Sequence, residues 1–403
     1  MRVQLWSYNY DPEPQGIAPL SGVLARELRD LGHDVLVVAA HPHYPEPVWG
    51  SRRRPYRERR DGVPVLRLPL WIGRDSGLQR VRQELSFAAS QGLAAPLLPA
   101  CDALVAVSPC FPALAAAMGF SRLRATPWVQ WVQDIVTDGA VSTGLLREGP
   151  LLDAARRFER ATLRSASRVV VISDAFRDNL LAKGVPEEKI VRIFNPMTRD
   201  MPPPAQPGER DGPPQLLAMG NIGYSQGLDA IVDAFEASER LASLDARLVI
   251  AGHGVEADAV RARISGGRVE MPGVLVGEAL ERRLRRAQLG VVSQRADVAE
   301  FNLPSKLMNY MAYGLPVLAS VRPDSETARI VRDSGGGWVT DAGDPSAFAD
   351  AAAEALARPE QLQARGAAAR AFAERHFRPA DVARGFDSVL RQVTAGAQPS
   401  RRR

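Results

Sequence analysis

Short apolar runs alternate along this chain with longer stretches in which apolar residues recur every three or four positions, and the rhythm is played out twice. Val3 to Tyr8, Val35 to Ala39, Val63 to Leu68, Ala103 to Val107, Trp128 to Val132 and Arg168 to Ile172 read as strands. Most are nearly continuous apolar runs, as in parallel sheets covered on both faces. Helical patterns separate them at Ala18 to Leu31, at residues 78 to 98, after Pro112 and after Ser173-Asp174, and Val191 to Pro196 closes this half. A composition break follows at Pro202-Pro-Pro204, Pro207-Gly208 and Asp211-Gly-Pro-Pro214, which reads as a linker. The rhythm then resumes with strands at Leu216 to Met219, Ala246 to Ala251, near Val269, Leu289 to Ser293 and Leu315 to Ala319. The pattern predicts an α/β protein with two Rossmann-like domains, residues 1–198 and 215–378, joined by the Pro-rich linker 199–214. A helix over 379–396 is expected to cross back to the first domain, and the basic tail 397–403 to be disordered.

The second half is organised around the stretch from Glu300 to Ser320. Asn302 or Ser305 can cap a helix, Pro304 suits its first turn, and Leu307, Met308, Met311 and Ala312 recur at the spacing of a buried face. Gly314 stops that helix. A cation in the first turn works against the positive end of the helix dipole, so Lys306 implies an anion at the helix mouth. Asn309, Tyr310 and Tyr313 fall on the same side by spacing and are expected to line one site with it.

Other loops carry candidate chemistry. Gly220 to Leu228 is glycine-rich between a strand and a helix, so its peptide N–H groups can face a phosphate. Gly252 and Gly254 can border a base pocket, and Gly16 can let backbone approach a ligand closely. Asp134 stands just past the carboxyl end of a strand, where open α/β sheets hold ligands; capping the next turn is the alternative for its carboxylate.

Composition narrows the class. The 403 residues, 45% apolar and 24% charged, suit two soluble domains, and no apolar stretch reaches the ~20 residues of a membrane helix. Two cysteines, Cys101 and Cys110, show no metal or redox spacing and read as reduced thiols of a cytoplasmic protein. His41 and His43 lack the companions of a metal site. No Asp-x-Asp occurs, so a carboxylate-bound divalent metal is not expected, and no motif here calls for another cofactor. Net charge is +5, and Arg52, Arg53, Arg54, Arg57, Arg59 and Arg60 cluster in what reads as one loop with Trp49 and Tyr56. With Arg401, Arg402 and Arg403 they fit an anionic membrane surface or a diphosphate rather than nucleic acid, no nucleic-acid module being present. The helix over 78 to 98 reads either as an ordinary packing helix or as one that turns Arg74, Arg80 and Arg82 toward lipid phosphates.

Pro304-Ser305-Lys306-Leu307, followed by Met311-Ala312-Tyr313-Gly314-Leu315-Pro316-Val317, resembles the donor-binding helix of family-4 retaining glycosyltransferases of the GT-B fold. The similarity is closest to the subgroup that builds colanic acid, capsule and O-antigen units. Three further motifs extend it over nearly the whole chain: Asn9, Tyr10, Pro12, Glu13, Gly16 and Ile17; Gln133, Asp134 and Asp138; and Gly220 to Leu228. The resemblance implies two facing Rossmann-like domains and transfer of a sugar, with retention, from a nucleotide-diphosphate donor to a polyprenyl-diphosphate-linked or other saccharide acceptor. Asp134, Lys306 and Glu13 become the catalytic candidates. Gly16, Gly220, Asn221, Gly223, Gln226, Gly227, Gly252, Arg295, Leu303, Pro304, Ser305, Lys306 and Asn309 become the donor-binding candidates. Arg52, Arg53, Arg54, Arg80 and Arg82 become acceptor or membrane contacts, with the protein peripheral on the inner face of the plasma membrane.

This chain also departs from the wider family. Asn221 and Gln226 stand where an arginine and a lysine hold the diphosphate, and Phe301 and Asn309 stand where two glutamates are usual, with Glu300 one place out of register. Lys306, with Arg295 as a second candidate, is expected to supply the missing charge. A nucleotide-sugar 2-epimerase and a non-catalytic scaffold of a polysaccharide assembly complex are the alternatives.

Overall fold

The computed structural model describes residues 1–14, 16–43, 49, 54–73, 77–138, 149–198, 201–203, 209–210, 212–298 and 304–396. Arg52, Arg53, Arg74, Glu300, Phe301, Asn302, Leu303, the tail 397–403 and much of the expected linker lie outside them. The chain divides into two compact units, Met1–Thr198 with Pro379–Arg403, and Arg199–Arg378.

In the first unit, β1 (Arg2–Ser7), α1 (Ile17–Asp30), β2 (Asp34–Ala40), β3 (Tyr56–Arg60), β4 (Val63–Leu68), α2 (Gly77–Ala94), β5 (Ala103–Ser108), α3 (Ala113–Arg124), β6 (Trp128–Val132), α4 (Pro150–Ser165), β7 (Arg168–Val171), α5 (Asp174–Ala182) and β8 (Ile190–Arg192) follow in order. They build one sheet, β3-β4-β2-β1-β5-β6-β7-β8, parallel except for the antiparallel β3–β4 pair. β3 corrects the reading of the arginine cluster as a loop: Arg57, Arg59 and Arg60 sit on an edge strand. Charged side chains on an edge discourage pairing with another chain, and a strand so polar leaves no apolar alternation to recognise.

The last helix of the chain, α14 below, belongs to this unit. Val382, Phe386, Val389 and Leu390 enter its core, with the Phe386 ring 5.1 Å from that of Trp131. His33 Nε2 lies 2.8 Å from Asp387 Oδ1, pinning the helix to the turn between α1 and β2.

The second unit runs β9 (Gln215–Asn221), α6 (Leu228–Ala237), α7 (Glu239–Ser243), β10 (Arg247–His253), α8 (Ala257–Arg261), β11 (Val269–Gly273), α9 (Gly277–Arg286), β12 (Leu289–Ser293), α10 (Ser305–Ala312), β13 (Val317–Val321), α11 (Glu326–Ser334), β14 (Gly337–Asp341), α12 (Pro345–Leu356) and α13 (Pro359–His376), before α14 (Pro379–Gly396). Its sheet order is β11-β10-β9-β12-β13-β14, with every pair parallel. The chain winds outward from β9 to one edge and then from β12 to the other. The crevice at the carboxyl ends of β9 and β12 is therefore the switch point at which doubly wound sheets take ligands.

Candidate functional site

At that switch point the glycine-rich loop after β9 lies against the start of α10. Gly220 has φ 112°, and Gly252 passes so close that a Cβ on it would stand 1.8 Å from the Gly220 carbonyl oxygen. Only a residue without a side chain allows β9 and β10 to stay in register from Gly220–Gly252 to Asn221–His253. Asn221 is exposed at the strand end, Gly223 is buried, and Tyr224–Gln226 forms a short 3-10 turn leading through Gly227 into α6. His253 is exposed, and its carbonyl accepts from Ile222 N at 3.0 Å.

α10 begins without a side-chain cap: Pro304 occupies the capping position and Ser305 is already helical. The first-turn N–H groups of a helix have no intrahelical acceptor, so this end is electropositive. Lys306 sits in that turn, and its Nζ donates to Gln226 Oε1 at 2.6 Å across from the glycine-rich loop. Its chain also passes the site of a Gly220 Cβ at 3.8 Å. Crowding by protein, without a carboxylate in ion-pair distance among the described residues, pushes the ammonium down to about 8.

The other residues expected on this face divide. Asn309 is half-buried and its amide donates back to Ser305 O at 3.0 Å. Tyr310 and Tyr313 do not join Lys306, which corrects the expectation of a shared lining. Tyr310 is fully buried, its hydroxyl accepts from Met219 N at 2.9 Å, and its ring fills the space that the missing side chain of Gly290 leaves on β12. Tyr313 is buried too, its ring 5.7 Å from the Arg285 guanidinium. An eight-residue helix packed on a sheet turns its aromatic residues inward, and spacing alone does not tell the sheet face from the site face.

Arg295 is held in place by its neighbours. Its Nη2 reaches both carboxylate oxygens of Asp229 at 2.9 and 3.1 Å, its Nε donates to Tyr224 O at 2.9 Å, and it stacks 4.4 Å over the Tyr224 ring. Its charge is already compensated, so it braces the loop instead of offering a bare cation. A cavity of about 260 Å³ borders Gly227 and Arg295 at the carboxyl ends of β12 and β13.

In the first unit Asp134 follows β6, half-buried beside a small cavity walled by Phe111, Leu114, Ile135 and Leu163. Burial in these apolar surroundings pushes its carboxyl above the ordinary range, while the Ile135 N–H and the field of Arg80 act in the opposite sense. Gln133 forms a reciprocal amide pair with Asn195, at 2.6 and 2.9 Å. Asp138 is tied to its own unit by Lys183 and Asn179. Burial pushes its carboxyl up, but hydrogen bonds from Lys183 at 3.0 Å and Asn179 at 2.7 Å outweigh that and hold it below the ordinary range.

Glu13 is a brace and not an exposed carboxylate. It is 2% exposed, with Oε1 accepting from His43 N at 2.7 Å and Oε2 from Asn9 at 2.8 Å, tying the loops after β1 and β2 together. Gly16, with φ 64°, opens α1 in this unit, with open space where a Cβ would be. Arg54 is exposed, Arg80 stands 3.6 Å from Glu84 on α2, and Arg82 stacks 4.4 Å over Trp71. Among the described residues no three His, Cys, Asp or Glu side chains gather in a metal-binding group.

Residues 15–196 match the family described as Glycosyl transferase 4-like domain, and residues 213–358 match Glycosyl transferases group 1. Together the two matches span most of the chain, which carries these two glycosyltransferase domains in that order in a GT-B fold. It is similar to the colanic acid biosynthesis glycosyl transferase WcaI of Escherichia coli (strain K12), 27% identical over 340 residues, covering 78% of this chain and 82% of that one. It is also 27% identical over 255 residues to the glycosyltransferase WbjE of Pseudomonas aeruginosa, covering 59% of this chain and 60% of that one. The solved structure of Anabaena HepE in complex with UDP covers 97% of this chain and all of its own at 15% identity, with a TM-score of 0.70.

Two features of this glycosyltransferase escape a reading by motif. Arg67 is fully buried on β4, donating to Glu58 at 2.8 Å and Ala40 O at 3.0 Å, contacting the Asp11 carbonyl, and lying 5.4 Å from the Tyr10 ring. The single charged residue in Val63-Pro-Val-Leu-Arg-Leu68 was the available signal. Lys183 and Glu159 form a 2.9 Å ion pair that also grips Thr137, fixing the turn after Asp134. Glu159 lies on α4 and Lys183 in the turn just after α5, and no sequence spacing connects them.

Proposed function

We propose that this glycosyltransferase transfers a sugar, with retention and without a metal ion, from a nucleotide-diphosphate donor to a lipid-linked saccharide in exopolysaccharide, capsule or O-antigen synthesis. The observation that carries the donor reading is the Lys306 ammonium at an uncapped helix mouth, facing a glycine-rich loop and bound only to an amide oxygen among the described residues. That arrangement suits a diphosphate, which accepts from peptide N–H groups and from a cation together. Similarity to HepE, whose structure is a UDP complex, supports the same reading, and similarity to WcaI supports a role in polysaccharide synthesis.

In this mechanism the bond between the anomeric carbon and the diphosphate oxygen breaks as negative charge grows on the leaving group. Lys306, the first-turn N–H groups of α10 and its dipole stabilise that charge. The acceptor hydroxyl attacks from the face the diphosphate leaves, and its proton passes to the departing phosphate oxygen. Asp134, with its raised proton affinity, orients the sugar or the attacking hydroxyl. Glu13 acts by holding the first loop in shape.

The lipid-linked acceptor and an anionic membrane surface remain part of the proposal. No helix among the described residues is long and apolar enough to cross a membrane. The first unit nevertheless exposes Val81, Leu85, Leu93 and Leu97 on and just after α2, next to Arg80 and Arg82. Apolar and cationic side chains side by side suit an interface of lipid headgroups.

The test is incubation with a panel of nucleotide sugars and membrane-extracted acceptor, read by mass spectrometry. Transfer of one sugar residue with release of the nucleoside diphosphate is expected. Conversion of the donor without acceptor identifies an epimerase, and no conversion of any donor contradicts the reading.

A further inference from the structure

At the opposite end of the second unit's sheet, the amino ends of β9, β10 and β11 surround a groove of about 430 Å³. Arg247, Arg268 and Arg286 line it with Gln215 and one carboxylate, Glu270, which is itself bound by Arg283 at 2.5 Å. Arg286 donates to the carbonyls of Pro213 at 2.7 Å and Arg210 at 3.3 Å, and forms no ion pair among the described residues. Neighbouring Arg210 likewise has no carboxylate in ion-pair distance among them, and burial pushes its guanidinium below the ordinary range. Arg247 is paired with Asp245 at 3.2 Å and Arg268 lies 3.9 Å from Glu236, so the positive charge left unbalanced at the groove among the described residues is that of Arg286 and Arg210.

It also holds unused hydrogen-bonding capacity. Gln215 is 8% exposed, and its Oε1 has no partner among the described residues. Arg268 Nη1 is buried without one as well, although its Nη2 donates to Phe235 O and Glu236 O. Both atoms are closed to solvent, so a ligand hydroxyl relieves the cost of the unpaired Gln215 acceptor as that side chain turns toward the groove, while a phosphoryl group meets the guanidiniums. The volume falls in the range of small-molecule sites.

We propose that this groove binds a small phosphorylated, hydroxyl-bearing molecule, of which a sugar phosphate is the simplest kind. It lies the length of β9 away from the glycine-rich loop, about 20 Å for a seven-residue strand, and does not depend on the donor assignment. A phosphoryl group can also come from a lipid headgroup; the recessed position of Gln215 favours the free molecule.

Calorimetric titration with glucose 1-phosphate tests it in the intact protein. Arg247→Gln with Arg286→Gln is expected to weaken binding at least about tenfold, while Lys306→Met leaves it unchanged. Titration with UDP is expected to show the reverse pattern. Arg247→Gln alone, at a half-exposed side chain, carries the test should the double variant fail to fold. The proposal is overturned if glucose 1-phosphate does not bind at millimolar concentration, if its binding ignores the arginine substitutions, or if UDP displaces it one for one. Loss of binding to phosphatidylglycerol vesicles in the arginine variants, with glucose 1-phosphate binding intact, would assign the groove to lipid instead.

Discussion

The ammonium of Lys306 donates to the amide oxygen of Gln226 across 2.6 Å, joining the first turn of α10 to the glycine-rich loop after β9. Gln226 stands where the wider family carries a cation, so the loop gives this lysine an acceptor instead of a like charge. The site is set with one ammonium in a partly dry setting, and its protonation governs what it can hold.

The first prediction is therefore one of pH. The free ammonium is pushed down to about 8, so UDP affinity should be highest below that pH and fall as pH rises through it, by up to about tenfold per unit. Stability of the ligand-free protein runs the other way. Between about 8 and about 10.4 the unfolded chain holds a proton that folded Lys306 has released, so unfolding free energy rises with pH in this window. UDP titrations and urea unfolding across the same pH series check both signs.

Gly252→Ala should disrupt the loop from beneath. Its Cβ would meet the Gly220 carbonyl oxygen at 1.8 Å, and relief requires β9 and β10 to part. A loss of about 1–3 kcal/mol in urea unfolding is expected, together with weaker UDP binding. Unchanged stability would show that the strands do not approach so closely.

Lys183→Met removes the cation that Glu159 and Asp138 share in the first unit. Breaking a buried pair and leaving a carboxylate unpaired costs about 3 kcal/mol. The turn after Asp134 loses its anchor, so turnover should fall by at least about tenfold while UDP affinity, set in the other unit, stays the same. Steady-state kinetics alongside UDP calorimetry separates the two effects.

Replacing Leu85, Leu93 and Leu97 with glutamate should abolish flotation with anionic vesicles while leaving transfer to a water-soluble acceptor intact. Each exposed leucine can contribute about 1.5–3 kcal/mol when it enters an apolar phase, so losing three is decisive. Flotation that persists would place any membrane contact elsewhere.

The strands and the helix at Lys306 were legible because buried parallel strands are continuous apolar runs and α10 carries its own stop at Gly314. β3 was not, since Tyr-Arg-Glu-Arg-Arg shows no apolar alternation. Spacing groups Tyr310 with the site residues, yet its hydroxyl accepts from Met219 N, because the facing of a short helix depends on the strand beneath it. Glu13 belongs to a motif, yet the motif does not say whether a carboxylate meets substrate or braces a loop. Arg67 and the Lys183–Glu159 pair depend on contacts between distant segments, which no local pattern encodes.

Neutralisation of a diphosphate by Lys306 is tested most directly by calorimetric titration of Lys306→Met with UDP and with uridine. UDP affinity should fall about 10- to 100-fold relative to the unaltered protein, the loss of a charge-assisted contact, while any uridine binding stays the same. Equal UDP affinity in the two proteins would contradict it.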